Sequence, residues 1–159
     1  MKNSQVTEVS FYHLTKTPFE KALPNLLEKI ISSGSRAVIT LDNKDNLLNI
    51  NNFLWSFSTN RVVPHGIKED GFEKDQPVYL TVEDENPNSA DVIVLADGKE
   101  TDFIKKFSKC VDIFDGNNPE TLENARKRWK KLSKSPDFTL TYWKQSEKGG
   151  WESESAKNL

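Results

Sequence analysis

The residues best suited to chemistry crowd into one stretch, Arg126-Lys127-Arg128-Trp129-Lys130-Lys131, with Lys134 close behind. A helix over 119–135 sets Arg126 and Lys130, four apart, on one face with Trp129 beside them. An indole wall next to two cations can receive a short acidic peptide that ends in an apolar residue. Arg grips a carboxylate through two parallel hydrogen bonds, and Lys acts as a point charge. The same pattern also fits an ordinary amphipathic helix, with Leu122, Ala125, Trp129 and Leu132 buried and the cations solvated.

Two further segments carry side chains that a partner could use. Leu54-Trp55 at a helix end is followed by Arg61-Val62-Val63-Pro64-His65, an apolar loop that could anchor another protein or simply pack over the core. His65 has no visible orienting partner that would make it a catalytic base. Residues 138–144, Phe-Thr-Leu-Thr-Tyr-Trp-Lys, alternate as a strand does and could complete the wall of a groove beside the basic helix.

Apolar stretches at 6–14, 36–41, 77–82, 90–96, 110–114 and 138–144 read as strands. Between them fall a helix from Pro18 with Thr17 as its cap, a helix over 42–57 opened by Asp42 or Asn43, a short helix over 101–109, and the basic helix capped by Asn118. Pro24 either kinks the first helix or begins it. Strands alternating with helices imply a single-domain, Rossmann-like three-layer α/β fold. The hairpin-like pair 77–82 and 90–96 argues for a mixed, mostly parallel sheet with helices on both faces. The folded domain is expected over 1–145, with 146–159 a polar, disordered tail.

An α/β pattern invites a nucleotide-binding or small-enzyme reading, and the glycines do not supply its machinery. Seven of them form neither GxGxxG nor GxxxxGK followed by Ser or Thr. Two separated histidines and one cysteine make no metal cluster, and no GxSxG elbow occurs. No catalytic residue, metal or cofactor is expected. Cys110, inside an apolar run, reads as a buried structural thiol. With 22 basic and 24 acidic residues, the chain is not the broadly basic surface that grips a phosphate backbone. Direct binding of single-stranded DNA would rest on the local basic and aromatic residues alone. No run approaches the ~18 apolar residues of a membrane helix, and no signal peptide is read at the N-terminus, so a cytoplasmic location is expected.

The order of these segments resembles the DNA polymerase III chi subunit family. The resemblance rests on Phe11-Tyr12 in the first strand, Leu54-Trp55, the Val62-Val63-Pro64-His65 loop, the Arg126-Lys127-Arg128-Trp129-Lys130 helix and a last strand ending Trp143-Lys144. Trp129 stands where a tyrosine is familiar and Val62 where a phenylalanine is, and residues 146–159 extend past the family's usual end. The resemblance implies a Rossmann-like fold without a nucleotide site and an accessory, non-catalytic role in the DNA replicase. It implies two partners. One is the acidic C-terminal tail of single-stranded DNA-binding protein, contacted by Arg126, Trp129, Lys130 and Arg128. The other is the psi subunit or another clamp-loader component, contacted by Trp55, Val62, Val63, Pro64 and His65. DNA contact would then be mainly indirect.

Overall fold

Residues 6–96 and 98–154 are described in the computed structural model. The strands are β1 (Thr7–Leu14), β2 (Ala37–Thr40), β3 (Val78–Thr81), β4 (Val92–Ala96), β5 (Lys109–Asp115), β6 (Phe138–Gln145) and β7 (Trp151–Glu154). The helices are α1 (Phe19–Ser32), α2 (Lys44–Ser56) and α3 (Pro119–Ser133). The strands form one sheet in the order β3-β2-β4-β5-β1-β6-β7. Every neighbouring pair is parallel except β6–β7. Each residue of β2, β3 and β4 is buried, as expected of parallel strands covered on both sides.

Two cores flank the sheet. On one face α1 and α2 lay Leu23, Leu27, Leu47 and Leu54 against Ile39, Val94 and Ile113. On the other, α3 and a 3₁₀ turn at Asp102–Lys106 lay Ala125, Trp129 and Ile104 against Val9, Phe11 and Tyr142. Cys110 is buried in this second core, and its burial pushes the thiol well above its usual range. It is the structural thiol that its apolar run implies.

Several elements differ from the sequence reading. The stretches at 77–82 and 90–96 do not pair as a hairpin, because β2 lies between β3 and β4, parallel to both. Residues 82–91 carry the chain back along the sheet. Asn88 clamps this return by donating to the carbonyls of Ala37 and Gln76. The antiparallel element of the mixed sheet is β6–β7, in which β7 is made by residues expected to form a polar tail. Gly149 takes φ +89° in the turn, and Gln145↔Trp151 and Lys144↔Glu152 pair across it. Thus residues 146–154 fold onto the sheet, and 155–159 lie outside the described residues. Thr17 does not cap α1. Its hydroxyl accepts from Gln145 Nε2 at 2.6 Å, and Pro18 takes the cap position without a side-chain bond. The helix runs through Pro24.

Candidate functional site: the cationic flank of α3

Asn118 starts α3 by accepting from the N–H groups of Glu120 and Thr121, with Pro119 in the first turn. From that start, Ala125, Arg128 and Trp129 fall on the buried side. Trp129 is 9% exposed and meets Phe11 and Tyr142 edge-on, with centroids 5.2 and 5.4 Å away. The indole is therefore mostly core. The expected aromatic wall is almost entirely buried.

Arg128 departs furthest from the expected site. It points into the sheet, where its Nε and Nη2 donate to the two carboxylate oxygens of Asp112 at 2.6 and 2.9 Å. The two side chains are 5% and 1% exposed. Burial raises the Asp112 carboxyl, and the two bonds from Arg128 work against that rise. Its Nε–Nη2 edge is spent on Asp112 and the residue is buried, so Arg128 acts in the core.

Lys131 falls on one flank of the helix, and Arg126 and Lys130 on the other. Lys131 bonds Glu100 at 2.7 Å beside the 3₁₀ turn. Arg126 and Lys130 share the flank of Trp129, next to β6 and its Tyr142. Both are exposed, and Glu123 approaches Arg126 at 4.0 Å. The positive charge of Arg126 reaches His13 and Tyr142, and so does that of Lys144 at His13. His13 Nδ1 lies 2.8 Å from the Tyr142 hydroxyl. Desolvation, then Lys144 and Arg126, hold His13 below the ordinary imidazole range. Burial pushes Tyr142 up to about 12. Burial and the neighbouring cations thus favour the uncharged imidazole of His13, with Glu154 and Asp115 acting in the opposite sense.

Lys144 was not singled out from the sequence as a site residue. Alternation along β6 is the signal that finds it, since residues two apart share a face. Tyr142 is under Trp129, so Lys144 is on the α3 side, while Trp143 faces α1 and helps line a hollow of about 850 Å³ with Tyr12, Leu26 and Trp151.

The second expected surface separates into display and support. Trp55 and Val62 are 55% and 59% exposed, and Pro64 is also exposed. Val63 and His65 are buried instead. His65 Nδ1–H donates to the Val63 carbonyl at 2.7 Å, its Nε2 faces the Asn51 side-chain amide at 3.0 Å, and its ring lies 4.4 Å from that of Trp55. Thus Val63 and His65 hold the loop from within, and Trp55, Val62 and Pro64 are outward. Arg61 ties this loop to α1 through Glu28 and Asn25. Phe72, 79% exposed at φ +52°, is an outward aromatic that no periodicity signals.

The loop after β1 is where a fold of this kind would hold a phosphate. Here the N–H groups of Thr15, Lys16 and Thr17 all donate to Gln145 Oε1, at 3.3, 2.8 and 2.9 Å. A side chain of the protein itself occupies the amides. Among the described residues, no group of three His, Cys, Asp or Glu could hold a metal ion. No described helix is long and apolar enough to cross a membrane.

Comparison with known proteins agrees with the segment order. The family model described as "DNA polymerase III chi subunit, HolC" matches residues 6–140, so β7 lies beyond the match. A protein of Rickettsia prowazekii (strain Madrid E) named "Probable DNA polymerase III subunit chi" is 31% identical over 134 residues, covering 80% of this chain and 78% of that protein. "DNA polymerase III subunit chi" of Haemophilus influenzae (strain ATCC 51907 / DSM 11121 / KW20 / Rd) is 25% identical over 126 residues, 77% of this chain and 87% of its own length.

Proposed function

The chain belongs to the DNA polymerase III chi subunit family, a family of accessory polymerase subunits, and from that premise we propose that it is an adaptor joining the replicase to two protein partners. The first is the acidic C-terminal tail of single-stranded DNA-binding protein, which docks on the flank of α3. Arg126 and Lys130 supply the cations, and the edge of Trp129 supplies apolar contact. The observation that carries this reading is the unequal fate of neighbouring arginines. Arg128 is buried with Asp112, while Arg126 stays exposed beside an aromatic margin. The second partner is the psi subunit or another clamp-loader component, seated on Trp55, Val62 and Pro64 with Val63 and His65 beneath. An exposed tryptophan backed by a fixed imidazole has the form of a binding anchor. The subunit itself has no catalytic step in this reading, its contact with DNA is indirect, and it works in the cytoplasm.

Isothermal titration with an acidic peptide ending in an aromatic residue and a free carboxylate tests the first contact. Arg126→Ala should weaken binding by about 1–3 kcal/mol, the scale of a hydrogen bond to a charged group, and Lys130→Ala should weaken it less. Equal affinity for the wild-type protein and both variants would remove the site.

A further inference from the structure

β7 brings two acids to the sheet face that α3 covers. Residues paired across an antiparallel ladder point to the same side, and the ladder pairs Lys144 with Glu152 and Tyr142 with Glu154. The side is fixed by ring contacts. Tyr142 meets Trp129 of α3 at 5.4 Å, whereas Trp151, next to Glu152, meets Tyr12 on the opposite face at 5.1 Å. Glu152 and Glu154 therefore stand beside Lys144 and Tyr142, on the side where Arg126 and Lys130 line the helix. Glu152 is exposed and Glu154 half-buried. The charge of Glu154 reaches both His13 and Tyr142, the two groups that also feel Arg126.

We propose that Glu152 and Glu154 form an acidic fence along the α3 flank, which holds down its affinity for negatively charged peptides and so sets which ligands it retains. The inference rests on reading that flank as the site for an acidic tail. An incoming carboxylate meets Arg126, Lys130 and Lys144 but also approaches two fixed negative charges. A ligand with a well-placed terminal carboxylate and an apolar end overcomes that repulsion through direct contacts, and a diffuse polyanion does not. The fence lies on the segment past residue 140, so it is an addition to the part of the chain that matches the family.

The test is fluorescence anisotropy on the full chain with the same aromatic-ended acidic peptide, comparing wild type, Glu152→Gln, the double variant E152Q/E154Q, and Arg126→Ala. The double variant should bind about five- to twentyfold more tightly at low salt, and the gain should shrink to about twofold near 0.3 M salt as screening shortens the reach of both acids. Glu152→Gln alone should give about half of that gain on a logarithmic scale. Unchanged affinity in both acid variants, with binding still weakened in Arg126→Ala, would overturn the fence and leave the tail site standing. No binding by any of the four proteins would overturn the tail site and the fence with it. A ligand-free reading separates placement from binding. The groups around His13 are Tyr142 and Lys144 on β6, Arg126 on α3, Asp115 on β5 and Glu154 on β7. Glu154→Gln removes an acid from that set, so the His13 pKa followed by NMR should fall further. An unmoved His13 would show that Glu154 does not act there and would sink the proposal.

Discussion

The inner and outer sides of α3 use the same residue types for opposite ends. On the inner side, Arg128 and Asp112 meet with both side chains nearly sealed. On the outer flank, Arg126 and Lys130 stay in solvent beside the rim of Trp129. A buried pair is costly to assemble and costlier to break, whereas an exposed cation adds little to folding and is available to a partner. The difference teaches that a run of basic residues cannot be read as one surface. Position around the helix, two residues apart, decides whether an arginine is sealed in an ion pair or left in solvent.

The largest expected effect comes from breaking the inner pair. Arg128→Ala leaves an unpaired carboxylate in the second core and should cost about 3–5 kcal/mol of stability, a fall in Tm on the order of 10 °C for a domain of this size. Replacing both partners with apolar residues, Arg128→Met with Asp112→Leu, should recover most of that loss. If Arg128→Ala melts like the wild type, the contrast between the two sides collapses. The outer flank should behave inversely. Arg126→Ala should leave stability within about 0.5 kcal/mol, as expected of an exposed position, while its peptide affinity falls. Raising salt from about 0.05 to 0.3 M should weaken peptide binding several-fold, because exposed charges are screened and sealed ones are not. A salt-independent affinity would mean that the outer cations do not carry the contact.

The smallest effect concerns His13 beneath the flank. Its imidazole is held below the ordinary 6.5, chiefly by burial, so the unfolded chain takes up a proton at a higher pH than the folded one. Its contribution to stability is present in full above pH 6.5 and declines as pH falls through 6.5 towards the folded pKa. Denaturant melts across that window should show stability rising with pH, and the slope should flatten in His13→Phe.

The helical stretches and the fully buried strands were legible because each carries a period or an unbroken apolar run. The caps of α2 and α3 were legible because Asn43 and Asn118 precede them. Strand order was not, since residues 77–82 and 90–96 each pair with β2 rather than with one another, and local pattern contains no information about a third strand slipping between two others. β7 was missed because Trp151-Glu152-Ser153-Glu154 lacks the apolar alternation of a half-buried strand and only joins the edge. At the site, periodicity identified the shared flank of Arg126 and Lys130. The inward turn of Arg128 depended on Asp112, a single acid inside an otherwise apolar strand, and that oddity was the available signal.

The place of β1 in the sheet has a consequence for how the molecule is made. The first strand of the chain lies between β5 and β6, with registers such as Val9↔Cys110 and Val9↔Leu140. As the polypeptide leaves the ribosome, residues 7–14 have no sheet partner until Lys109–Asp115 has emerged, and the loop after them waits for Gln145 to quiet its amides. Such long-range pairing folds slowly and leaves apolar segments open in the meantime. The β2, β3 and β4 strands can pair among themselves beforehand, but β1 must be sheltered until β5 has emerged, and a chain stopped before β5 leaves β1 without either of its sheet neighbours.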